Sequence, residues 1–322
     1  MPKILFFIGL LLVGFTVSCQ PETTPMAEPL TAEFDPAEDA LQLVELYRKQ
    51  LDFFDLYRNE KDTAILQKFV YENIFRPHRY VLSECFGYDS IHYFNAQMDL
   101  AQHRQDDIRS AMQFYEDIRF DSLLRFYETN YSEKVGYPVT GKFYFSFFHQ
   151  RHCNFCGCDK ESMQMDLLNE NNLNEQHLRI LLPHELTHNV FEVQQNDTAI
   201  QEVFLYKAID EGFANYVAQR VAGVSVEEAF GMSRAEFDWF AANEERIKAQ
   251  VRPVLFSEVE EDWDPYSESV ADRVIEGSPG SVGYFVGYRI VEDYLKNTDQ
   301  RDWRVVFRTP VRELLEKSRW LE

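Results

Sequence analysis

The sequence is short of basic side chains: 32 lysines and arginines face 54 aspartates and glutamates, a formal charge of −22. Phosphate backbones need the opposite field, which excludes nucleic acid as an expected partner. It also lacks a long apolar run. The one continuous stretch, Ile4 to Phe15, is too short to span a bilayer. No phosphate-binding glycine loop follows a strand, since Gly277, Gly280, Gly283 and Gly287 fall outside the dinucleotide-binding pattern. Cysteine is scarce, at 5 in 322 residues. Apolar residues are not scarce: 45% of the chain is hydrophobic and 15% aromatic, enough to fill a core, which argues against disorder.

The short apolar run has an export purpose. Lys3, the run itself and the small residues Thr16-Val17-Ser18 before Cys19 form a signal peptide over residues 1–18. Thr-Val-Ser-Cys resembles the lipobox of bacterial lipoproteins, which implies lipidation of Cys19 and anchoring in the bacterial cell envelope. Gln20 after the cysteine resembles outer-membrane sorting, and the alternative is an ordinary signal peptide cleaved later. Residues 19–36, rich in Pro, Thr, Glu and Ala without apolar period, read as a flexible tether.

The expected fold is α+β and mainly helical. Residues 37–140 carry apolar residues at helical spacing, as in Leu43, Leu46, Tyr47, Leu51 and Phe54. Residues 141–322 form the second region. It opens with two strands, Phe143–Phe148 and Ser162–Leu167, joined by a polar, cysteine-rich loop. A helix capped by Asn174 follows to about Gln195, with Pro183 as a kink or a new first turn. Another helix spans about Val203 to Val221. Ser225–Glu228 and Ser233–Glu236 have the capping-box form, and a last amphipathic run covers Ser281 to Lys296.

His184-Glu185-Leu186-Thr187-His188 is the most specific feature, since a chance HExxH in a chain this long is on the order of one in a hundred. Residues four apart share a helix face, so both imidazoles reach one Zn²⁺ while Glu185 faces the water that the metal acidifies. A third ligand is needed from a nearby element. Glu211, in Asp210-Glu211-Gly212-Phe213-Ala214-Asn215, is the best candidate, with Asp210 as its rival. Asn215, one turn on, suits the N–H of a zinc histidine, and Gly212 suits close helix approach.

These motifs resemble the gluzincin metallopeptidases, in which HExxH is followed on a second helix by a glutamate ligand. They are closer to the predicted zinc-dependent proteases of a large uncharacterised bacterial family, with HExxH, Glu-Gly-x-Ala and Gly-Tyr-x-x-Gly-Tyr in that order. The resemblance covers roughly residues 140–296, and the spacing from His188 to Glu211 is longer than in the aminopeptidases. It implies a zincin-like catalytic domain and a peptide or protein substrate. It also implies that Tyr284, in Gly283-Tyr284-Phe285-Val286-Gly287-Tyr288, donates its hydroxyl to the oxyanion, with Tyr288 as the alternative. An edge strand before the HExxH helix would bind an extended peptide by strand addition.

Two other readings stand beside this one. A lipoprotein can keep a zinc or pseudo-zinc site and act as a binding or assembly factor, as some lipoproteins for surface motility do; an intact Glu185 argues for the enzyme. His152-Cys153-Asn-Phe-Cys156-Gly-Cys158 could hold a second zinc, but an oxidising envelope favours disulfides among Cys85, Cys153, Cys156 and Cys158. The expected arrangement joins Cys85 to one loop cysteine and the other two to each other. A cytidine-deaminase reading fails because Cys-x-x-Cys precedes His-x-Glu.

Overall fold

In the computed structural model the described residues are 41–148, 154–159, 162–195, 203–267 and 275–322. The expected signal peptide and tether, Cys19, His149, His152 and Cys153 lie outside them. Among the described residues no helix is long and apolar enough to cross a membrane.

The first region supplies a strand as well as helices. Leu43, expected in a helix, lies in β1 (Gln42–Val44), which pairs in parallel with residues 142–144. Its extended backbone satisfies the N–H and C=O groups of a strand edge that would otherwise be open, a demand that helical spacing in the sequence does not reveal. The apolar period is then realised in α1 (Leu46–Asn59), where Leu46, Tyr47, Gln50, Phe53 and Phe54 form the buried stripe. Next come α2 (Thr63–Val70), two π-helical turns at Tyr71–Phe75 and Tyr80–Cys85, α3 (Ser90–His103), α4 (Gln105–Asp117) and α5 (Phe120–Val135). Asp62 and Asp89 cap α2 and α3 by accepting from backbone N–H groups.

The sheet contains β1, β2 (Lys142–Ser146), β3 (Phe155–Asp159) and β4 (Ser162–Asp166), in the order β1-β2-β4-β3. The two expected strands are β2 and β4, and they run parallel. Part of the expected loop is instead β3, antiparallel to β4 with a register shift between Gly157 and Asp159. Phe-Cys-Gly-Cys-Asp is poor in β-branched residues, so pairing with β4 rather than propensity makes it a strand. Buried Gln50 joins α1 to the sheet: its amide donates to Phe147 O at 2.9 Å and accepts from Phe147 N at 2.8 Å. The helical region and the sheet therefore share one core.

The remaining helices position the site. Asn174 accepts from His177 N and starts α6 (Glu175–Gln194), which runs through Pro183 without a break. α7 (Phe204–Ala222) buries 14 of its 19 residues, as expected of a helix wrapped on several sides. α8 (Val226–Ala229) and α9 (Arg234–Ala242) both begin with complete capping boxes, at Ser225 with Glu228 and Ser233 with Glu236. α10 (Glu244–Val251) and α11 (Glu260–Ser267) lead to α12 (Val282–Asn297), which packs against α7, and to α13 (Val311–Ser318).

Two glycines set the α7–α12 crossing. A Cβ on Gly212 would lie 2.0 Å from Tyr288 N, and one on Gly287 would lie 1.7 Å from Ala208 O. Only hydrogen fits in either place, so the glycines of the Glu-Gly and Tyr-x-x-Gly motifs press the two backbones together.

Candidate metal centre

His184 and His188 stand one turn apart on α6, and α7 brings Glu211 to them. His184 Nε2 and His188 Nε2 are 3.1 Å apart, and Glu211 Oε2 is 3.2 Å from the first and 3.4 Å from the second. Among the described residues these three form the only cluster of His, Cys, Asp and Glu spaced for a metal ion. Glu211 Oε2 is buried yet makes no aligned hydrogen bond to either ring.

The other ring nitrogens face oxygen partners. His184 Nδ1 lies 2.9 Å from Asn215 Oδ1, and His188 Nδ1 lies 2.9 Å from Asp210 Oδ1. With an N–H kept on each Nδ1, a cation at the cluster would take the two Nε2 lone pairs in place of a proton. Asp210, the rival ligand in the sequence, is thus placed behind His188 and outside the three-atom cluster. α5 braces the helix from below: Tyr131 donates to Thr187 Oγ1 at 2.9 Å, and Thr187 donates to Pro183 O at 2.7 Å.

The electrostatics follow from carboxylates and imidazoles crowded in a half-buried cleft. Burial raises the Glu185 carboxyl, against the lowering pull of His184 and His188. Burial opposes charging of His188, but Asp210 and Glu211 outweigh it and hold the imidazole well above its usual range. Burial would also raise Glu211, and the imidazoles, His188 foremost, outweigh it and hold the carboxylate ionised. Burial and the nearby Glu211 and Glu185 push the Tyr284 phenol well above its ordinary value, so it stays protonated and can donate.

A cleft of about 290 Å³ contains these groups together with Phe155, Gly157 and Met163 of the sheet. Tyr284 lines it, its ring stacked near His184 at 6.3 Å. Tyr288, the alternative donor, does not line it. Its hydroxyl donates to Gln219 Oε1 at 3.2 Å, and its ring packs on Tyr216 and Phe230. Asn189, Glu192 and Lys207 line the cleft without having been singled out in the sequence. The signal was helical spacing, since Glu192 lies four residues after His188 and Lys207 four before Glu211.

Among the described residues no cysteine belongs to the three-atom cluster. Cys85 and Cys156 are each disulfide-bonded, Cys153 lies outside the described residues, and Cys158 falls within β3. His177 is half-buried beside Asn154, whose Nδ2 lies 3.2 Å from its Nε2.

By fold and site, this is an α+β protein in which an HExxH helix and a Glu-Gly helix converge under a tyrosine-bearing third helix. Residues 154–321, just over half of the chain, match the family model described as "Gliding motility protein GldB", and the chain belongs to this gliding motility lipoprotein family. That membership accords with the envelope-lipoprotein alternative more closely than with the peptidase resemblance. No curated protein and no solved structure matches the chain.

Proposed function

We propose that this envelope lipoprotein holds a zinc ion on His184, His188 and Glu211 and hydrolyses peptide bonds in the cleft above them. The observation that carries this reading is the ligand triangle. Zinc bonds to nitrogen and oxygen of about 2.0–2.1 Å in a tetrahedral set place ligand atoms roughly 3.3 Å apart. The three separations here are 3.1, 3.2 and 3.4 Å. Two imidazoles and one carboxylate are also the donor set of hydrolytic rather than structural zinc sites.

When bound, such an ion polarises a scissile carbonyl and acidifies water. The chain's own residues do the rest. Glu185, raised by burial toward the range of a useful base, accepts a proton from the attacking water and returns it to the leaving amine. Tyr284 donates its hydroxyl hydrogen to the oxygen on which charge develops. Asn215 and Asp210 fix the imidazole tautomers, and β3, an edge strand that lines the cleft, offers backbone to an extended peptide. Lipidation at Cys19 would place this cleft at a membrane surface, and Gln20 after the cysteine resembles an outer-membrane sorting signal.

A second reading has its own support. Family membership favours a binding or assembly factor in which the same site serves architecture or recognition. Replacing the chromosomal copy with Glu185→Gln and scoring surface motility separates the two. Loss of motility with normal protein level supports hydrolysis; full motility without peptidase activity assigns the chain to assembly.

A further inference from the structure

The walls of the cleft carry four carboxylates, Glu185, Glu192, Asp210 and Glu211, and among the described lining residues a single permanent cation, Lys207. Its position follows from how α6 and α7 run. His184 meets Asn215 and His188 meets Asp210 and Glu211, so the helices are antiparallel across the site. One turn further along, the helix register sets Lys207 on α7 opposite Glu192 on α6, which has a partner of its own. Lys207 nevertheless makes no ion pair among the described residues, although acceptors line the same cleft.

Local helix physics does not account for Lys207 either. It lies in the first turn of α7, where the macrodipole favours anions and the side chains include no acid. A cation there is slightly destabilising, and residues that break a local rule without structural return cluster at functional positions. An anion seated against Lys207 would meet both the ammonium and the positive end of α7.

We propose that Lys207 seats a carboxylate of the peptide that occupies the cleft, one helical turn from the metal ligands. Two sources share this chemistry, the C-terminal carboxylate of a peptide and an acidic side chain within it. The first would make the site trim chain ends; the second would direct it to acidic sequences. The inference rests on the metal-site reading for the peptide's position, and it holds whether the peptide is cut or only bound.

The test uses the detergent-solubilised full chain carrying Glu185→Gln, loaded with zinc, and three fluorescent-labelled alanine-rich pentapeptides. One ends in a free carboxylate, one in an amide, and one in an amide after a terminal glutamate. Anisotropy titration should show at least one carboxylate-bearing peptide binding about tenfold more tightly than the plain amide. Adding Lys207→Met should bring that ratio to about one, and Lys207→Arg should keep most of it. Preference for the free acid alone identifies the chain terminus, and equal preference for the glutamate peptide identifies the side chain. Equal binding of all three, no binding of any, or a preference that survives Lys207→Met overturns the proposal. Turnover by the Glu185 protein is measured beside it. Cleavage without carboxylate preference removes only the Lys207 assignment; carboxylate preference without cleavage keeps that assignment and removes hydrolysis.

Discussion

Gly287→Ala probes whether the site depends on the helix crossing beneath it. The added Cβ would stand 1.7 Å from Ala208 O, whereas real Cβ contacts stay beyond 3.0 Å, so α12 and α7 must part by at least 3.0 − 1.7 = 1.3 Å. The obstacle is main chain, and no rotamer change relieves it. Overpacking of this kind costs about 3 kcal/mol, the upper end of its usual range. In a domain of this size that lowers Tm by roughly 6–12 °C. The same displacement moves Tyr284, one turn before residue 287, away from Glu211, one turn after residue 208. A misplacement of about 1 Å near reacting groups costs on the order of a hundredfold in rate. Gly223→Ala is the comparison, because it sits at φ 70° with nothing within 4 Å of its new Cβ and should cost only about 1–2 kcal/mol of backbone strain. Thermal unfolding by circular dichroism, with zinc titration of each variant, reads both effects. A Gly287→Ala protein with the Tm and zinc affinity of the parent would refute the reasoning.

Three further outcomes follow from the site and the core. Asn215→Ala removes the oxygen 2.9 Å from His184 Nδ1 and should weaken zinc binding about 10–100-fold with little change in Tm of the metal-free protein; unchanged affinity in a competition with a chromophoric chelator contradicts it. Tyr284→Phe should lower kcat and kcat/KM together by about a hundredfold with zinc content unchanged, whereas Tyr288→Phe, whose ring does not line the cleft, should alter stability more than rate; the reverse pattern would move the donor assignment. His78, half-buried beside Tyr144, is held below its ordinary value of 6.5 by burial and by Lys142. The unfolded chain therefore takes up this proton first, and stability falls as pH drops below about 6.5. His78→Gln should flatten that fall, read as a smaller loss of urea midpoint between about pH 7 and pH 5.5; an identical loss in both proteins excludes the contribution.

Much of this arrangement was legible because local rules and tertiary placement agree. Asn174, Ser225 and Ser233 are caps in the sequence and caps in the fold. The four-residue step from His184 to His188 places both rings on one face whatever surrounds the helix. Other features depend on partners distant in sequence. Leu43 fits a helical stripe, but the open edge of β2 makes its segment extended. Phe155–Asp159 has the composition of a loop and becomes a strand because β4 offers an antiparallel register. The choice between Glu211 and Asp210 could not be read from spacing, since the two are adjacent. Where α7 meets α6, one carboxylate reaches both Nε2 atoms and the other lies behind His188. Lys207 and Glu192 each lie one turn beyond a recognisable motif, linked to it only by helical spacing.

The most direct test of the central claim compares the full chain with Glu185→Gln by metal analysis and by cleavage of a peptide library under the same conditions. The account predicts one zinc per chain in both proteins and peptide-bond hydrolysis only where Glu185 is present. Equal cleavage by the two proteins, or a parent chain that binds no zinc, would contradict it.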